Sequence, residues 1–423
     1  MVMAVNFQSV RETTLQVVKD DNYNYEQAEL PEFRRYTRRE IYRALGVSSA
    51  DGVKNLVDKV ESYLKDTTGD DIVIGHKDEL TNKYTYSLSE IYLILSTIPN
   101  MDGLRATKNK IAQQFKAPKD KGAYVLGCAN QKGGVGKTTF TICTSSGQAL
   151  YNFERARILV IDLDPQGSLH NFFDGREINI RTVKTVSKYL YGTYEDDIKL
   201  SDNIEKKREF ILNELIRPSM IDNLDYCPAF EDCNIVDTKL DRLLQSTENE
   251  AYHGEEVYKI FQQEVIDPIK HDYDIIIIDV PPKSCTTVHT ALFALDHLII
   301  PCPTHQMVFD STVDFTNTFG KILEDNPELN HKGMQHMDVV KTMYQTGVIS
   351  HQNVDSKINR AYPDNTYPYP LAHTATYNAL AEDYYTIYSH ASADEVNGLK
   401  SVRQDWDKLN DHVRRSIRTY WDQ

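Results

Sequence analysis

The chain has 423 residues, 40% of them hydrophobic, which is enough for two or three domains with a sizeable core. Its formal net charge of −15 excludes DNA binding by bulk charge, so a nucleic-acid contact must use local basic patches. No apolar run reaches the roughly 18 residues of a membrane helix, and the opening MVMAVNF lacks the basic region and apolar segment of a signal peptide. The cysteines, at 128, 143, 227, 233, 285 and 302, are scattered without a C-x-x-C pair. That pattern fits reduced thiols in a cytoplasmic protein rather than disulfides or a zinc site.

In chain order, residues 1–32 are polar and form an arm, with a helix expected over Val10–Asp20 and a role in packing or dimerisation. Residues 33–103 are denser. Thr37-Arg-Arg-Glu40 is a capping box that opens a helix through Leu45, and Gly46 ends it. A second helix runs from Val47–Asp51 to Lys65, with Val53, Leu56, Val57, Val60 and Leu64 at helical spacing. Helix, glycine turn and helix make a helix-turn-helix signature. Ile72–Gly75 and Lys83–Tyr86 are expected to be the strands of a wing, and Ser87-Leu-Ser-Glu90 a second capping box before a helix over Ile91–Ser96. Arg34, Arg35, Arg38, Arg39 and Arg43 gather at the first helix, where they suit phosphate contacts; Lys54 and Asn55 on the second suit base edges. The alternative is a helical dimerisation module with solvated charges. Residues 104–122 form a basic helix and linker that either touches DNA backbone or keeps the linker soluble.

From residue 123 to 423 apolar strands alternate with helices. Strands are expected at Tyr124–Cys128, Ile158–Leu163, Leu224–Cys227, Ile275–Val280, Leu298–Pro301 and Met337–Tyr344. Near-continuous Val/Ile/Leu strands separated by helices imply an α/β fold with a doubly wound, mostly parallel sheet, and a ligand at the carboxyl ends of its strands. A last helix over Val396–Trp421 carries Val402, Trp406, Leu409, Val413, Ile417 and Trp421 as an apolar stripe, read as core packing. Lys400, Arg403, Arg414, Arg415 and Arg418 lie off that stripe and are available to DNA.

The first strand runs into Gly127-Cys-Ala-Asn-Gln-Lys-Gly-Gly-Val-Gly-Lys-Thr-Thr-Phe140. A strand, a glycine-rich turn and a helix make a phosphate-binding loop: Gly133, Gly134, Val135, Gly136, Lys137, Thr138 and Thr139 would cradle phosphates. Lys137 would reach the β/γ-phosphates and Thr138 would sit on Mg²⁺. The second strand ends in Asp162-Leu-Asp164, two carboxylates with one residue between them, which is costly unless a cation shares the charge. A third segment, Asp274-Ile-Ile-Ile-Ile-Asp-Val-Pro-Pro282, ends a strand at Asp279.

The loop lacks the usual glycine five residues before Gly136, where Gln131 stands, and opens instead on Lys132. Two lysines in one loop, followed by these two acidic strand ends, resemble the deviant Walker A ATPases, and residues 123–390 follow the order of the ParA partition ATPases throughout. With the helix-turn-helix before it, the chain looks closest to the ParA of a secondary bacterial chromosome or large plasmid. The resemblance implies ATP hydrolysis with Mg²⁺. It gives Lys132 a catalytic role reaching across a nucleotide-sandwich homodimer, and Lys137 one in cis. It has Asp164 orient the attacking water, with Asp162 and Asp279 supporting Mg²⁺ beside Thr138. It further implies non-specific DNA binding by the ATP-bound dimer, a ParB-type centromere-binding partner that stimulates hydrolysis, autoregulation through the N-terminal domain, and a place on the nucleoid. Two other readings stay open: a MinD-like membrane-associated ATPase and a repressor that uses ATP only as a ligand. A reductase of the iron-protein kind lacks its cysteine pattern.

Overall fold

The computed structural model describes residues 34–78, 82–174, 183–192, 203–229, 233–245, 254–325, 334–382, 384–389 and 396–423. The arm helix expected over Val10–Asp20 lies outside them. The described residues fall into two units. The first takes the residues up to Phe115, with Leu150–Arg155 and residues 388–389; the second takes the rest.

In the first unit the Thr37 N–H and hydroxyl both donate to the Glu40 carboxylate, at 2.8 and 2.9 Å. The helix they open is shorter than its sequence suggests. α1 covers Arg38–Ile41 and turns carry the chain on to Gly46, at φ +67°. Leu45 keeps its N–H on the Ile41 carbonyl at 3.0 Å and also forms an antiparallel bridge with Ile111. α2 covers Ala50–Thr68, capped by the Ser49 hydroxyl and ended by Gly69, and it buries Val53, Leu56, Val57, Val60 and Leu64 as its spacing predicts. A three-stranded antiparallel sheet follows the order β1 (Tyr36–Thr37), β3 (Tyr84–Tyr86), β2 (His76–Lys77). The strand expected at Ile72–Gly75 does not pair. The Ile74 N–H donates to Glu61 and the Gly75 N–H to Glu90, each at 2.7 Å, and these carboxylates take the place of a neighbouring strand. Glu90 also receives the Ser87 N–H at the start of α3 (Leu88–Thr97) and pairs with Arg35 at 2.8 Å. One buried carboxylate therefore ties three segments together.

The second unit is built on a seven-stranded sheet in the order β10-β9-β4-β8-β5-β7-β6. Its strands are β4 (Tyr124–Cys128), β5 (Ile158–Asp162), β6 (Arg217–Pro218), β7 (Leu224–Cys227), β8 (Ile275–Asp279), β9 (His297–Pro303) and β10 (His336–Thr342). All neighbours are parallel except β6 and β7. The chain starts in the middle at β4, winds to β5 and β7, returns to insert β8, and then winds the other way to β9 and β10. The helices used below are α4 (Lys137–Leu150), α5 (Val186–Tyr191), α6 (Cys233–Gln245), α7 (Thr286–Phe293), α8 (Gln306–Asp325), α9 (Ile349–Ala361), α10 (Thr376–Glu382) and α11 (Leu399–Asp422). β4, β5, β8 and β9 are buried along their whole lengths, which is why their sequences run apolar rather than alternating.

α11 packs its stripe inward. Val402, Trp406, Leu409, Val413 and Ile417 are buried, and Trp406 meets Phe140 of α4 with ring centroids 4.9 Å apart. The face that would have to meet a membrane is filled by core. Two of the off-stripe arginines expected to be available to DNA are not: Arg403 and Arg414 are buried, donating to the carbonyls of Ile387 and Gln148. Lys400, Arg415 and Arg418 are exposed.

His297 of β9 and His412 of α11 share one oxygen of Asp338, each at 2.9 Å. Burial pushes the Asp338 carboxyl up, but the two imidazoles outweigh it and hold the group well below the usual carboxylate range. Asp338→Asn is expected to cost about 2–3 kcal/mol, in the range of about 1.5–3 kcal/mol for a hydrogen bond to a charged group. A depressed carboxyl contributes its stability above its unfolded pKa and loses it as pH falls. The gap between wild type and variant, read from urea midpoints, should therefore be full at neutral pH and close in acid.

Candidate nucleotide site

Strand register builds the site. Cys128 of β4 lies opposite Asp279 of β8, and Asp279 lies opposite Asp162 of β5. Three adjacent strands thus end level, and the glycine loop leaves from the first of them. Gly134 and Gly136 have φ of +73° and +92°, a region that excludes side chains at little cost only for glycine. Apart from the glycine and its chain neighbours, no heavy atom of the described residues lies within 4 Å of where a Cβ on Gly133, Gly134 or Gly136 would sit. The loop is thus an open cradle rather than a packed turn.

Asn130 shapes the loop from below. It is buried, donates to the Pro301 carbonyl and the Thr312 hydroxyl of α8, both at 3.0 Å, and accepts the Lys132 N–H at 3.0 Å. The Lys137 ammonium is buried and donates to the Lys132 carbonyl at 3.2 Å. Burial lowers its pKa, opposed by Cys128, Asp279 and Asp164. The Lys132 side chain is exposed.

Asp162 and Asp279 are buried side by side. Burial pushes both carboxyls up, Asp279 to about 7 against the pull of the Thr138 and Thr141 hydroxyls; Asp162 is raised further by the Asp279 charge. Asp279 Oδ1 accepts the Thr141 hydroxyl at 3.0 Å, and Asp162 Oδ1 accepts the Asp164 N–H at 2.9 Å. The second oxygen of each has no hydrogen-bond partner among the described residues. Two raised carboxyls with orphaned oxygens, beside a threonine hydroxyl, have the chemistry of a hard-cation site and fit Mg²⁺.

Asp164 arrives by a different route from the one expected. The strand ends at Asp162, so Asp164 stands on the following turn, where its carboxylate accepts the Gln166 N–H at 3.0 Å and its carbonyl the Gly167 N–H. It still lines the cavity. That cavity, of about 520 Å³, is lined by Gly133–Phe140, Asp164, Gln166 and Pro282. The rest of its lining is Thr342, Met343, Leu371–Thr374, Tyr377, Asn378 and Trp406. Its size is within the range of about 300–1,000 Å³ of small-molecule sites. Thr342 and Met343, at the end of β10, are part of that lining.

Sequence reasoning missed Asn130 as the loop's brace, Thr141 and the stretch 371–378. Thr141 was findable, because it follows Lys137 by one helical turn and faces the same way. Residues 371–378 carry no motif; the fold alone brings them to the cavity.

In the first unit the seven basic and polar candidates separate into two groups. Arg34 pairs with Glu40 at 2.7 Å, Arg35 with Glu90 at 2.8 Å, and Arg38 bonds the Tyr86 hydroxyl at 3.3 Å while stacking on Tyr84. These three brace the fold. Arg39, Arg43, Lys54 and Asn55 are exposed.

The sheet order, the level strand ends and the glycine cradle define a P-loop nucleotide-binding protein. Residues 123–331 match the family model described as an AAA domain. A ParA family protein of Chlamydia trachomatis is 30% identical over 204 residues, covering 48% of this chain and 67% of that protein. The chromosome partitioning protein ParA of Myxococcus xanthus is 27% identical over 233 residues, 55% of this chain and 69% of that one. The plasmid partition protein A of Escherichia coli is 31% identical over 210 residues, 49% of this chain but only 47% of its own length. A solved partition protein superposes with a TM-score of 0.61 over 98% of both chains at 19% identity. The ATP complex of Cyanothece McdA does so with a TM-score of 0.53, covering 70% of this chain and 97% of that one at 15% identity. These two likenesses are of fold. The chain belongs to the ParA family.

Proposed function

We propose that the chain is a DNA partition ATPase. An ATP-bound homodimer holds DNA without sequence preference, and hydrolysis, stimulated by a ParB-type centromere-binding protein, releases it. The carrying observation is that buried Lys137 and half-buried Asp164 line the glycine cradle, with the buried carboxylates of Asp279 and Asp162 behind them at the level strand ends. Phosphoryl transfer asks a protein mainly to position water and to stabilise charge. In this reading the N–H groups of Gly133–Thr139 bind the phosphates, and Lys137 stabilises the charge that builds on them. Asp164, open to the cavity, orients the attacking water. Thr138, Asp162 and Asp279 would hold Mg²⁺, which when bound with ATP would supply positive charge to offset the negative charge that builds during hydrolysis. The solvent-exposed Lys132 completes the partner's site, and ATP then acts as a clamp that favours the dimer.

In the same reading the first unit is a winged helix-turn-helix whose exposed Arg39 and Arg43 meet phosphates while Lys54 and Asn55 reach base edges, and it serves autoregulation. The protein then works in the cytoplasm on the nucleoid. The buried stripe of α11 speaks against a membrane-surface role. The test is the ATPase rate with and without random DNA and the centromere-binding protein. Stimulation by both is expected, and no stimulation by either sinks the partition reading. Arg39→Ala and Arg43→Ala should weaken DNA binding alike on all sequences, each flattening the slope of log K against log salt by about 0.9. Measurable hydrolysis excludes a repressor that uses ATP only as a ligand.

A further inference from the structure

The turn that follows Asp279 is gripped from outside the cavity. Asp237 of α6 accepts the Lys283 ammonium at 2.6 Å with one oxygen. With the other it accepts the Thr287 N–H at 3.2 Å and the Thr287 hydroxyl at 2.5 Å. One turn further along α6, Asp241 accepts the Thr286 hydroxyl. Thr286 and Thr287 are the first two residues of α7, where a helix has N–H groups without partners. The residue before them, Cys285, gives no side-chain cap, and burial keeps its thiol up at about 12, hence neutral. The cap is supplied instead by Asp237 on a different helix, while Asp241 holds the Thr286 side chain.

The location gives this grip its interest. Lys283 adjoins Pro282, a wall of the cavity, and follows Asp279 by four residues. Pro281 and Pro282 fix their own φ, so a shift at Lys283 passes along the turn instead of being absorbed. At its other side α6 meets α5, where Lys239 donates to the Tyr191 carbonyl at 2.7 Å.

We propose that Asp237 and Asp241 are positioning residues for hydrolysis: α6 clamps the turn between Asp279 and α7, and so sets how Pro282 and Asp279 stand to the phosphate loop. This rests on the ATP-hydrolysis reading above. Moving the clamp changes turnover while the cradle that binds nucleotide, on β4 and α4, stays as it is.

The test uses the full chain. Asp237→Asn keeps a carbonyl for Thr287 and removes the charge that faces Lys283; Lys283→Gln breaks the same arm from a half-exposed site. Each should lower kcat by about tenfold or more, with about 10²-fold as the scale of a 1 Å misplacement, and leave KM unchanged. The double variant should be no worse than either single one. Exchanging the charges, Asp237→Lys with Lys283→Asp, should recover part of the loss. Melting curves and nucleotide binding report whether each variant is folded. Folded single variants with wild-type kcat overturn the clamp, as do effects that simply add. A wild-type chain that binds ATP without hydrolysing it overturns the hydrolysis reading itself, and the clamp with it.

Discussion

Lys137→Ala is expected to lower the rate of ATP hydrolysis by about 10²–10³-fold, the scale of removing one preorganised donor from a developing charge. The ammonium is buried and its pKa is pulled down by desolvation, so the fold bears a cost to keep a charge there. In the structure it donates to the Lys132 carbonyl, a neutral acceptor that a phosphate oxygen would outcompete. Removing it relieves that desolvation, so the ligand-free variant should melt no lower than wild type, which separates lost chemistry from lost folding. Lys132→Ala makes the contrast. Its side chain points to solvent while its carbonyl and N–H do the local work, and alanine keeps both. The single chain should then bind nucleotide nearly as before, and ATP-dependent dimerisation and hydrolysis should both fail. Binding of a fluorescent ATP analogue, phosphate release and sedimentation give the three readings. If Lys132→Ala weakens binding as much as Lys137→Ala, Lys132 acts within its own chain and the shared-site dimer is wrong.

The difference between the two lysines was legible in the sequence only through family likeness, and the reason is physical. A glycine loop between strand and helix announces phosphate binding because few other uses need those φ values at Gly134 and Gly136. The acidic ends of β5 and β8 were legible for a similar reason, since an apolar strand that ends in a carboxylate bears a cost that only a site explains. What one-dimensional spacing cannot carry is register. That Asp162, Asp279 and Cys128 end level depends on which strands are neighbours. That Asp164 turns off the strand depends on Asp162 capping its N–H. The part of the lining made by Leu371–Thr374, Tyr377 and Asn378 has no chemical signature because it supplies shape. In the first unit the arginines looked equivalent as a run of charge. Only the fold shows that Arg35 answers Glu90, fifty-five residues away, while Arg39 answers nothing so specific.

Asp279→Asn is expected to stabilise the nucleotide-free chain and to abolish the further stabilisation that ATP and Mg²⁺ give together. Asparagine keeps an acceptor for the Thr141 hydroxyl and removes one of two neighbouring buried charges. The sign follows from the direction of the shift. Burial pushes the Asp279 carboxyl up to about 7, above the ordinary range, so the folded chain binds this proton more tightly than the unfolded chain does. Stability from this site is then highest below the unfolded pKa of about 4 and falls as pH rises towards about 7, beyond which the penalty is constant. At about 1.4 kcal/mol per unit the penalty is on the order of a few kcal/mol. The variant lacks it, so the melting temperatures should coincide near pH 4 and separate by several degrees at pH 8, with the variant higher. Adding ATP and Mg²⁺ should reverse the order, since a ligand that binds only the folded state raises its stability by mass action and the variant loses a carboxylate that holds the cation. A variant that melts lower than wild type at pH 8 without ligand would mean that the Asp279 charge is satisfied within the fold, and the cation site would have to be sought elsewhere.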